Sequence, residues 1–188
     1  MKNIYIILTD TGSKISKLLK LFSGAEYNHI SLCLEDNLDT FYSFGRRKIW
    51  FPLIGGFVTE RMNHGIYQIF KRTKCLIYKL PVAEYKYLKL EQNLQEFINN
   101  SKYYKYNFAG LIGILINKPL KMGKRYTCSH FVAYILEKSD ILTFDKNVML
   151  VTPMDFCGII GLEKVYEGMM ADFILDDNKS ESEDKVTA

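Results

Sequence analysis

Beyond Cys128 the apolar residues Phe131, Val132, Ile135 and Leu136 fall at the i, i+1, i+4, i+5 spacing of a helix with one buried face. The helix therefore begins near Thr127 or Cys128. A thiol there sits among unpaired backbone N–H groups at the positive end of the helix dipole, which favours the thiolate, the form that attacks carbonyls. His130 follows two residues later, a rotation of about 200° on a helix, so it points away from the thiol.

A base for that thiol is found far upstream. In His29-Ile30-Ser31-Leu32-Cys33-Leu34-Glu35 the polar positions 29, 31, 33 and 35 alternate with Ile30, Leu32 and Leu34. This is the period of a β-strand with one apolar face and one polar face. His29 opens that strand and is the candidate general base for Cys128. Each residue also has an ordinary reading: a lone cysteine is usually a small buried hydrophobe and a lone histidine a structural hydrogen-bonder.

The order strand, helix, strand opening Tyr27-Asn28-His29-Ile30-Ser31, turn, strand ending Tyr42-Ser43-Phe44-Gly45, then a distant Tyr126-Thr127-Cys128-Ser129-His130-Phe131-Val132 helix resembles the circularly permuted papain-like fold. That group contains permuted NlpC-like amidases of the YiiX and YaeF type and the lecithin retinol acyltransferase-like enzymes. The likeness spans most of residues 3–170, but its specific content is two short motifs and their order. It implies an α+β fold with a central antiparallel sheet or half-barrel and the cysteine helix packed against it. It also implies a cysteine hydrolase or acyltransferase with His29 and Cys128 as base and nucleophile. In the group a polar residue on the next strand orients the imidazole, and that position falls here on Ser43. Serine can accept the imidazole N–H but supplies no charge to steady an imidazolium. Three alternatives follow: the Cys–His pair acts alone, a residue such as Glu60 reaches in from the following loop, or the site has become a binding pocket that no longer turns over.

At 188 residues with 48% hydrophobic and 14% aromatic content the chain suits one domain with a sizeable core, over 1–175. The tail 176–188 holds five acids and two bases and no core residues, so disorder is expected there. Its net −3 leaves +4 − (−3) = +7 on the body. That charge leaves open an anionic substrate or a peripheral membrane or lipid contact. The bases are mostly scattered, which argues against nucleic acid. Cys33, Cys75, Cys128 and Cys157 show no metal-binding spacing, and neither metal nor organic cofactor is required by the proposed chemistry. The apolar run Asn3 to Leu8 is too short for a signal peptide core or a membrane span, so a cytoplasmic location with reduced thiols is expected.

The remaining expectations are local. Ile15, Leu18, Leu19 and Phe22 make an apolar helix face before Gly24. Residues 46–65 read as a long loop in which Trp50 and Phe51 line an acyl or aromatic subsite with Arg46 or Arg47 holding an anionic group, or else merely cover the end of the barrel. Tyr67 to Phe70 and Cys75 to Leu80 read as strands. Glu84 to Asn99 reads as a surface helix, and Phe108 to Ile116 as a helix capped by Asn107, apolar all round and therefore buried. Acyl transfer through a thioester is the expected chemistry, with the Cys128 N–H and the Tyr126 hydroxyl as oxyanion donors. A small peptide or amide is the first substrate class and a lipid acyl chain the second. The oligomeric state stays open.

Overall fold

The computed structural model describes residues 1–13, 20, 24–48, 51, 54–62 and 64–173. The expected helix around Ile15 to Phe22, Trp50 and the acidic tail 176–188 lie outside them.

Eight strands form one sheet in the order β7-β6-β4-β3-β2-β1-β5-β8. They are β1 (Lys2–Asp10), β2 (His29–Cys33), β3 (Phe41–Arg46), β4 (Gly55–Glu60), β5 (Lys74–Val82), β6 (Lys105–Tyr106), β7 (Arg125–Tyr126) and β8 (Glu163–Met169). All neighbours pair antiparallel except β6 and β7. The described helices are α1 (Ile66–Ile69), α2 (Glu84–Asn99), α3 (Phe108–Leu115) and α4 (Cys128–Lys138). The architecture is mixed α+β.

Alternation along the strands separates two apolar layers. Ile4, Ile6, Leu8, Ile30, Leu32, Phe44 and Phe57 face one way, where α2 and α4 cover them with Leu90, Leu94, Phe97, Phe131, Val132, Ile135 and Leu136. Tyr5, Ile7, Cys33, Phe41 and Ile77 face the other way, where Tyr67 of α1 and Met170 close over them. Phe131, Val132, Ile135 and Leu136 are fully buried, and burying each such side chain contributes about 1.5–3 kcal/mol. Helix α4 thus lies across β2 and β3, the strands that precede the site.

Three local readings need correction. Tyr67 to Phe70 is not a strand: Ile66–Ile69 is a single helical turn. Residues 46–65 are not one loop, because Gly55–Glu60 pairs with β3 along its whole length. The glycines that disguise this strand are demanded by its neighbours. A Cβ on Gly55 would lie 2.7 Å from Tyr106 Cβ, and one on Gly56 2.5 Å from the Tyr104 carbonyl oxygen. Two-residue strands β6 and β7 carry too few positions for any period. Finally, α3 is capped by Asn107, whose side chain accepts from Gly110 N, but it is not buried: Phe108, Ile112 and Leu115 are exposed.

Candidate active site

The chain enters α4 through Thr127 in extended conformation, and the Thr127 hydroxyl accepts from His130 N at 3.1 Å. A threonine N-cap of this kind stabilises a helix start by about 1 kcal/mol. It fixes Cys128 as the first helical residue, where the amide N–H has no carbonyl four residues back within the helix. The helix start expected from the apolar spacing is the observed one.

His29 is the first residue of β2, paired with Thr9 of β1. Its Nε2 lies 3.2 and 3.1 Å from the two carboxylate oxygens of Glu60, the last residue of β4. A carboxylate can only accept, so Nε2 donates and Nδ1 is the nitrogen left for another partner. The Cys128 thiol is within hydrogen-bonding reach of this imidazole. The two side chains, far apart in sequence, therefore meet.

Glu60 is itself held in place. Ser31, two residues along β2 from His29 and on the same face, donates to Glu60 Oε2 at 2.7 Å, and the Tyr67 hydroxyl donates to the same oxygen at 3.3 Å. Burial favours the neutral carboxylic acid, but the imidazole and these hydroxyls outweigh it and hold the Glu60 carboxyl below its ordinary value. Burial likewise opposes charge on His29, yet the facing Glu60 carboxylate and the Cys128 thiol raise its pKa to about 10. Tyr67 is pushed well up by burial and by Glu60, so it stays a donor.

Ser43 is not the residue that holds the imidazole. Its hydroxyl, fully buried, donates to the Ile30 carbonyl at 2.6 Å and staples β3 to β2. Glu60 stands at the imidazole instead, on a strand rather than in a loop. Gly45, at the end of the Tyr42-Ser43-Phe44-Gly45 run, lies beside the pair: a Cβ there would make ordinary 3.7 Å contacts with His29 Cε1 and Glu60 Oε1.

The other expected site residues divide. The Tyr126 ring is enclosed by Phe44, Phe97 and Tyr104 at centroid distances of 5.2, 5.4 and 5.9 Å, and stacks on His130 at 4.6 Å. It belongs to the aromatic core beside α4. The tyrosine at the thiol is Tyr106 of β6: burial and the adjacent Cys128 thiol push its hydroxyl well up, leaving it a donor. Arg46 ends β3 half-buried, with Nη2 at 3.5 Å from Ser13 Oγ, and burial lowers its pKa. Arg47 is committed to the Ser101 and Tyr104 carbonyls. His130 packs against the Tyr126 and Tyr134 rings. It is 9% exposed, its Nδ1 has no hydrogen-bond partner, and burial pushes its pKa down to about 4.

Glu60 is one of three alternatives in the sequence reading, and Tyr106 is not among its site residues. The sequence signal that could have found Tyr106 is its place one residue before the Asn107 cap. Parallel pairing of Tyr106 with Tyr126 then brings it beside the Thr127-Cys128 corner. Among the described residues, no group of three or more His, Cys, Asp or Glu is placed to hold a metal ion. No helix among them is long and apolar enough to cross a membrane. No protein-family model matches the chain, and no curated protein matches it.

Proposed function

We propose that this protein is a cysteine hydrolase or acyltransferase with a permuted papain-like architecture, acting on an amide or ester carbonyl in the cytosol. Cys128 is the nucleophile, His29 the acid–base and Glu60 the residue that orients and charges the imidazole. One observation carries the reading: the Glu60 carboxylate is bonded to His29 Nε2 while the same imidazole reaches Cys128. A structural histidine needs only one hydrogen bond. A carboxylate, an imidazole and a thiol in series at a helix N-terminus are the parts of an activated nucleophile.

In the proposed reaction His29, charged because its pKa stands at about 10, already holds the proton taken from sulfur, and the sulfur attacks the carbonyl carbon. The oxyanion is held by the Cys128 amide N–H and the Tyr106 hydroxyl. His29 returns the proton to the leaving nitrogen or oxygen as its bond to carbon breaks, and a thioester remains. Water, giving a proton to His29, attacks the thioester. The acid leaves as its bond to sulfur breaks, and the proton stays on His29 beside the freed sulfur. An acceptor alcohol or amine in place of water makes the same sequence an acyl transfer. Cys128 is 4% exposed, so a neighbour must yield as substrate enters, and Tyr106 is the side chain so placed.

The test is chemical. Alkylation of Cys128 by iodoacetamide at neutral pH should outpace that of the half-buried Cys157, and the advantage should vanish in His29→Ala. A Cys128 no faster than Cys157 at every pH would overturn the reading.

A further inference from the structure

Helix α3 is turned inside out. Its glycines face protein: a Cβ on Gly113 would lie 2.5 Å from the Lys118 carbonyl oxygen, and one on Gly110 2.8 Å from Asn107 Nδ2. Its long apolar side chains face outward. Phe108, Ile112, Leu115 and the adjoining Ile116 are 38%, 58%, 54% and 53% exposed, at i, i+4, i+7 and i+8 along one ridge. Met122 is exposed nearby in sequence, and Ile54, distant in sequence, is exposed too. Ile54 adjoins Gly55, which abuts Tyr106, whose ring lies 4.8 Å from that of Phe108. A water-facing helix with glycine inside and isoleucine outside forfeits the burial its own residues could supply.

The charges that flank the ridge along the chain have one sign. No Asp or Glu occurs between Glu96 and Glu137, nor between Asp39 and Glu60. Within the first interval Lys102, Lys105, Lys118, Lys121 and Lys124 are all exposed. Among the described residues none of the five is in an ion pair. An ordinary solvated surface intersperses both signs. Exposed apolar side chains flanked along the chain by lysines without acids are complementary to a bilayer with anionic headgroups, apolar groups entering the acyl boundary while the ammonium groups meet phosphate. A second copy of this face is the poorer occupant, since it would set lysines against lysines.

We propose that α3 and its lysine flanks dock this protein peripherally on anionic lipid bilayers. What the docking means for catalysis rests on the cysteine hydrolase reading: Asn107 caps α3 and the adjacent Tyr106 reaches the Cys128 thiol, so a docked helix holds the thiol at the lipid–water boundary.

Co-sedimentation of the full chain with phosphatidylcholine vesicles, with and without phosphatidylserine, tests the surface directly. Retention should require phosphatidylserine, fall with added salt, and weaken roughly tenfold or more in Lys118→Glu/Lys121→Glu. Ile112→Glu/Leu115→Glu should abolish it with the circular dichroism spectrum unchanged, both side chains being exposed. No retention on either vesicle, or equal retention of both double variants, overturns the proposal. So does a dimer in sedimentation equilibrium that Ile112→Glu/Leu115→Glu dissolves, which would make the ridge a self-association face. Cys128 alkylation in the same samples without vesicles separates the two readings: a vesicle-binding protein with a sluggish thiol loses the hydrolase and keeps the docking surface, and the reverse result does the opposite.

Discussion

The surroundings of His29 and His130 treat the same side chain in opposite ways. His29 has a carboxylate on one nitrogen and a thiol within reach, and its pKa rises to about 10. His130, two residues past the cysteine, lies among Tyr126 and Tyr134 rings with Nδ1 unpartnered, and its pKa falls to about 4. Burial works against charge at both. A facing carboxylate decides the sign at His29, and nothing opposes burial at His130. Proximity to the cysteine in sequence is therefore a poor guide to which histidine serves it.

The largest expected effect follows from that contrast. His29→Ala should lower turnover of a chromogenic ester by about 10²–10⁴-fold, whereas His130→Phe, which keeps the ring stack, should leave the rate within the scatter of wild type. Equal losses in the two variants would erase the distinction.

Stability should separate them next. The depressed pKa of His130 contributes stability that is fully present above its ordinary value of 6.5 and is lost as pH falls towards about 4. That gap, at about 1.4 kcal/mol per pH unit, amounts to roughly 3 kcal/mol. His29 has the reverse sign: its contribution is present below 6.5 and is lost as pH rises through about 10. Urea unfolding across pH should show the acid loss in wild type and its reduction in His130→Phe.

Glu60→Gln removes the charge but retains an acceptor. The alkaline limb of kcat/KM, set by deprotonation of His29, should move towards neutrality by about 1–3 units. An unmoved limb would mean that Glu60 only positions the ring. The smallest effect belongs to Ser43→Ala, which should cost about 1 kcal/mol for the lost bond to Ile30 while leaving the pH profile of kcat/KM where it is.

Periodicity explains what could be foreseen. Strand β2 and helix α4 each keep their large apolar residues to one face and hence display a period, although both are buried almost all round, so the histidine strand and the cysteine helix were readable from their apolar spacing. The carboxylate was harder to place because β4 opens with Gly55 and Gly56, residues depleted from strands and present here because Tyr106, Tyr104 and Arg47 approach too closely for a side chain. In α3 the composition misled for a different reason. Apolar residues all round imply burial only when the partner surface takes the large side chains, and this partner takes the glycines.

The linear order of the site has a temporal consequence. His29, Glu60 and Tyr67 occupy one continuous early stretch, and three strands, two helices and several turns separate them from Cys128. A ribosome therefore extrudes the entire proton-handling half while the sulfur is still uncoded, and a prematurely terminated product carries a primed imidazole with no nucleophile to arm. Reactivity arrives last, when the cysteine helix closes onto a sheet whose central strands have already emerged.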